Sequence, residues 1–193
     1  MKYLLNPITD YLCSRKRIWL CFAISIVPAI ILLSVSFVTN LRQEYNIVSF
    51  FSDFITSQVN IIAILLSFSI AILTILATAD NDNIRKLKKS PSSTKHYKEV
   101  RGNKRLTLFQ VLLSSVTYNI LCQILYLSLL IVELLLKALL DCSAYKYFVA
   151  INIFFIAHIF YVLIDSVVSI YYVFWPDLGK KENEVLLKNQ NPQ

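Results

Sequence analysis

In a chain this apolar, chemistry would have to come from the few ionisable and amide side chains set within its hydrophobic stretches. Asp165 is the one charged residue of the stretch 148–175, and an unpaired carboxylate inside a bilayer costs at least about 2.5 to 3.5 kcal/mol. His158 lies seven residues earlier, about 10 Å along the same helical face, with Val162 and Ser169 continuing the stripe. Such a line would serve either as a proton relay along a watered path or as one hydrogen-bonded carboxyl that locks helices together. The locking role is favoured, because no second acid or cation stands at similar depth. Asn119 and Gln123, four residues apart in another apolar stretch, are the natural partners. Amides in that setting contribute about 0.6 to 2 kcal/mol each across helices.

Other polar features have blander readings. Glu133 stands one turn before Lys137, an order that favours a solvated surface pair. Ala63, Ser67, Ala71 and Thr74, with Thr78 beyond them, form a stripe of small residues that reads as a helix-packing seam, within one chain or between subunits. The basic run Arg85, Lys86, Lys88 and Lys89, continued by Lys95, Lys98, Arg101, Lys104 and Arg105, is the densest charge feature. Contact with anionic lipid is the first expectation, at about 1 kcal/mol per cation, and docking of a cytosolic protein the second. Only Tyr97 is interleaved as a base-stacking surface, so direct nucleic-acid binding is not expected.

Enzymatic signatures are missing. There is no glycine-rich phosphate loop, no GxSxG and no HExxH, and His96 has no ligand-type neighbours. The cysteines Cys13, Cys21, Cys122 and Cys142 form no CxxC pair, so neither a disulfide framework nor a zinc site is expected. A non-enzymatic protein without a cofactor is the reading.

The elements that must hold these residues follow from composition. Hydrophobic residues make up 56% of the 193 and charged residues 16%, with a mean hydropathy of +0.59; soluble domains carry about a quarter charged. Proline (5) and glycine (2) are scarce, so long helices are expected. Four stretches, about 18–38, 59–79, 106–136 and 148–175, are long enough to span a bilayer. The first contains Pro28, which should kink it. Phe50, Phe51 and Phe54 read as a short amphipathic helix in the headgroup region before the second span. The fold class is therefore an all-α integral membrane protein, a single four-span bundle with a basic loop at 80–105 and a polar tail at 176–193.

Lysine and arginine set the orientation. With the N-terminus inside, sixteen fall on cytoplasmic segments, and only Arg42, Lys137 and Lys146 fall outside. Both termini are then cytoplasmic. Trp19, Tyr171, Tyr172 and Trp175 suit an aromatic belt at the inner interface.

This layout resembles the four-span membrane subunit of the Kiwa anti-phage defence system of bacteria. The resemblance is carried by the Arg15-Lys16-Arg17 anchor, the second span NIIAILLSFSIAILTILATADND running into a lysine-rich loop, and the short tail, and it covers nearly the full length. It implies a homotetrameric sensor in the inner membrane that responds to phage attachment and works with a cytosolic DNA-binding subunit. The alternative is a small oligomeric channel or transporter component using Asp165, His158, Asn119 and Gln123 as a polar path.

Overall fold

The computed structural model describes residues 2–14, 18–38, 47–80, 82–92, 106–136 and 144–174. Those residues form six helices and no strand: α1 (Lys2–Ser14), α2 (Ile18–Val38), α3 (Ile47–Thr78), α4 (Asp82–Lys89), α5 (Leu108–Leu136) and α6 (Tyr145–Phe174). Four of them, α2, α3, α5 and α6, are long and apolar enough to cross a membrane. Within the chain they bury little, from 17% of the residues in the α2 and α3 spans to 33% in α6. Ile30, Ile31, Ile64, Leu125 and Ile164 point outward, and Trp19 is 85% exposed. Serines, amides, a histidine and a glutamate are buried instead. Apolar side chains outside and polar ones inside suit lipid as the surrounding medium.

Exposed hydroxyls on the spans are silenced locally. Ser34, Thr56, Ser67, Thr74 and Ser128 each donate to the carbonyl four residues earlier, which removes an unpaired donor from the lipid-facing surface. The start of α5 is fixed by a reciprocal cap. Thr107 N–H donates to Gln110 Oε1 at 3.0 Å, and Gln110 N–H donates to Thr107 Oγ1 at 3.3 Å.

The spans pack antiparallel around the α5–α6 pair. Phe51 and Ile55 near the start of α3 cluster with Tyr126 and Leu130 of α5 and with Tyr145 of α6. Leu76, near the end of α3, meets Leu112 and Val116 at the start of α5. Helix α2 lies along α6, and α1 packs on the first half of α5, where Tyr11 stacks on Tyr118 at 4.1 Å. The third and fourth spans and the first fall close to their sequence bounds. The second does not. It is one 32-residue helix from Ile47, not a short headgroup helix followed by a span, because Phe51 and Ile55 are buried in the bundle.

Two elements were not anticipated. Helix α1 gathers Ile8 and Tyr11 onto one packed face. Helix α4 docks through Ile84, which has no exposed surface, and touches α5 and α6. Its C-terminal exit is clasped: Ser92 N–H donates to the Leu106 carbonyl at 2.8 Å and Leu108 N–H to the Ser90 carbonyl at 3.0 Å. The two ends of the intervening segment are thereby pinned side by side. Lys95, Lys98, Arg101, Lys104 and Arg105 lie within it, outside the described residues, as do Lys137, the turn near Asp141, Cys142 and the tail 176–193.

Candidate functional site

The polar interior is strung along α5 and α6 as a series of separate contacts. Nearest α4, Ser115 and Ser166 share a hydrogen bond at 2.9 Å, with Ser166 Oγ also held on the Val162 carbonyl. Next comes a knot around His158. Its Nε2 meets the Tyr118 hydroxyl at 3.0 Å, and its Nδ1 faces Ser25 Oγ of α2 at 3.3 Å and Cys21 Sγ at 3.8 Å. The Ser25 proton is committed to the Cys21 carbonyl at 2.8 Å, so in the neutral ring Nδ1 carries the hydrogen and donates to Ser25, while Nε2 accepts from Tyr118. Phe22 and Phe154 stack on the imidazole at 5.1 and 6.1 Å. A ring held on both nitrogens and stacked on two phenyl rings is a structural lock on three helices.

Of the four residues read from the sequence as one network, the structure brings none into a common cluster. His158 pairs with Tyr118 and Ser25, which the sequence did not single out. Gln123 instead donates from Nε2 to Ser69 Oγ of α3 at 3.0 Å. Asn119 is 1% exposed, and its Oδ1 has no donor. Asp165 is half-buried two turns from His158, its main-chain carbonyl accepting Ser169 Oγ at 2.8 Å. The core position at that level belongs to Ser166.

Glu133 reverses its expected role. It is 1% exposed and accepts at Oε2 from Asn152 Nδ2 of α6 at 2.7 Å. The expected solvated pair with Lys137 does not describe it, because α5 turns this carboxylate toward α6. A sequence signal existed: Asn119, Gln123, Tyr126, Leu130 and Glu133 follow steps of four and three, so Glu133 shares the inward face of the two amides. All five are buried.

The seam Ala63, Ser67, Ala71 and Thr74 is exposed along its length. Among the described residues α3 packs instead through Phe51, Ile55, Ile62, Ser69 and Leu76.

On α4, Lys86 and Lys89 are exposed, and Lys88 Nζ stands 5.1 Å over the Phe109 ring. Arg85 is engaged differently. Its Nε and Nη2 form a fork on the two Asp80 carboxylate oxygens, each at 2.9 Å, with Asp82 at 3.9 Å. Hydrogen bonding and charge from Arg85 hold the Asp80 carboxyl below its usual range, and Asp80 in turn raises Arg85. Arg85 therefore fixes the α3–α4 corner, leaving the lysines as the outward charge. Beside this end, Pro7 and Asp10 of α1 and Gln110, Ser114 and Thr117 of α5 line a groove of about 140 Å³.

No metal-type group of three His, Cys, Asp or Glu side chains occurs among the described residues, and Cys13, Cys21 and Cys122 are free thiols. The chain matches no protein-family model, and no curated protein or solved structure is significantly similar to it.

Proposed function

We propose that this chain is a membrane-embedded sensor and scaffold subunit of a bacterial anti-phage defence complex, homo-oligomeric in the inner membrane with both termini cytoplasmic, that docks a cytosolic effector. The observation supporting it is the mounting of α4. Its Ile84 is buried against the bundle, its corner is fixed by the Arg85–Asp80 fork, and its lysines face outward. A basic surface joined this firmly to the spans suits relay of a membrane event to a soluble partner better than a loose topogenic loop would. The Kiwa resemblance supplies the partner class, a DNA-binding subunit, and the tetramer. The outward small-residue stripe of α3 offers a surface for subunit contact, and the same cations suit anionic lipid around the complex.

The test is co-expression of the tagged chain with a soluble DNA-binding subunit encoded by an adjacent reading frame, whose presence the proposal requires. That subunit should co-purify with the parent chain and should be lost from a variant carrying Lys86→Gln, Lys88→Gln and Lys89→Gln that elutes at the parent size. Full-yield co-purification with the variant would defeat the docking role. A second reading, a cation-conducting component, is favoured by the donor-poor oxygens buried along α5. Phage protection in the absence of any ion flux would remove it.

A further inference from the structure

The unmatched polar atoms of the interior share one chemistry. Among the described residues, six buried side-chain atoms lack a hydrogen-bond partner, and all are oxygens: Gln58 Oε1, Asn119 Oδ1, Gln123 Oε1, the Tyr126 hydroxyl, Glu133 Oε1 and Asn152 Oδ1. No buried side-chain nitrogen among the described residues is left over. Buried polar groups normally find partners, and leaving one unmade is costly; the Tyr126 hydroxyl can itself donate, but the other five are amide or carboxylate acceptors, and that excess calls for something positive.

We propose that Glu133, Asn152, Tyr126 and Gln58 form a binding site for a small monovalent cation at the end of the bundle away from α4. Asn152 Nδ2 already donates to Glu133 Oε2 at 2.7 Å, which leaves Glu133 Oε1 and Asn152 Oδ1 both unmatched. Tyr126 lies two turns earlier on the same buried face of α5, about 10 Å along the helix. The α3–α5 register brings Gln58 to the same level. From the Ser69–Gln123 contact, stepping back along α3 to Gln58 and forward along α5 to Glu133 covers about 15 Å each way.

Charge balance selects the ligand. One carboxylate neutralises one positive charge, so a monovalent ion leaves the site neutral, whereas a divalent ion would leave a net charge inside the membrane. A proton on Glu133 would supply one donor and leave the amide oxygens unmatched. An ion such as sodium takes several oxygens at once, as hard cations do. The proposal stands independently of any partner on α4.

The experiment uses the full chain in detergent at constant ionic strength, exchanging N-methylglucamine chloride for lithium, sodium or potassium chloride. The midpoint of thermal unfolding should rise saturably with one of these ions, as expected for a ligand that binds only the folded state. Glu133→Gln should reduce the apparent affinity at least tenfold while eluting at the parent size. Because that variant could misfold, scintillation-proximity binding of radioactive sodium to the parent chain is measured in parallel, with competition by unlabelled lithium, sodium and potassium ions. Saturable binding or competition sustains the site. No alkali-ion dependence in either measurement, or a midpoint that responds to pH alone, overturns it.

Discussion

Replacing His158 by Phe tests whether the central knot is held by hydrogen bonds or by ring packing. The phenyl ring keeps the stacks on Phe22 and Phe154 and removes the contacts to Tyr118 Oη at 3.0 Å and Ser25 Oγ at 3.3 Å. An interhelical hydrogen bond in a membrane contributes about 0.6 kcal/mol on average and up to about 1.7. Ser25 loses little, since its hydroxyl proton remains on the Cys21 carbonyl. Tyr118 loses its acceptor in a buried position, at a cost of about 1 to 3 kcal/mol. His158→Phe should therefore cost about 2 to 4 kcal/mol. Tyr118→Phe alone should cost about 1 kcal/mol. In the double variant no orphaned hydroxyl remains, so the cost should fall short of the sum by about 1 to 2 kcal/mol. Unfolding free energies from steric trapping in bicelles give all three values. Single costs that add to the double cost within about 0.5 kcal/mol would show that the imidazole is held by ring packing alone.

Ile84→Ala removes the anchor of α4 and should raise hydrogen exchange across 82–89 by one to three orders of magnitude, from a local loss of about 2 to 4 kcal/mol; unchanged protection would mean α4 is held by its corner alone. Because the Asp80 carboxyl is depressed by Arg85, its contribution is complete above the unfolded value of 3.8 and is lost as pH falls below it. Exchange over α4 should rise in that acid window in the parent and show no such step in Asp80→Asn. Ala63→Phe with Ala71→Phe should leave single-chain unfolding within about 0.5 kcal/mol, since both are exposed surface sites, yet reduce the native mass of the assembly. An unaltered native mass would exclude the stripe as a subunit contact.

The spans were legible because each is a long run of apolar residues, a signal that survives whatever the helix packs against. The span from Ile18 to Val38 emerges with those same ends. Helix α3 begins well before the apolar run at 59–79 because Asp53 and Gln58 interrupt the hydropathy ahead of it, while the spacing of Phe51, Ile55 and Ile62 marks the continuing inner face. Helix α1 was hidden by Asn6, Thr9 and Asp10, although Ile8 and Tyr11 kept a helical interval. The pairings were less legible, since they depend on rotation and register between helices that one sequence does not encode locally. Glu133 illustrates this: the nearest cation in sequence suggested Lys137, and the facing helix supplied Asn152. His158 likewise looked toward Asp165 along its own helix, whereas its partners came from α2 and α5.

Most of the buried cross-helix polar contacts among the described residues fall on α5 and α6, and α5 is the one that reaches both ends. At one end it receives α1 and α4 and carries the Thr107–Gln110 cap beside the clasp. Its middle carries Tyr118 and Gln123, and its far end carries Glu133. A 29-residue helix without proline or glycine is stiff, so displacement or rotation at Glu133 is transmitted along its length more readily than it is absorbed. Rotation would act first on the cross-helix bonds, which are short and directional, and only then on the apolar contacts, which tolerate sliding. Adjacency alone does not establish coupling. A sensor built on this scaffold therefore predicts non-additive energies between Glu133→Gln and Ile84→Ala despite their separation, the opposite of what distant independent sites show.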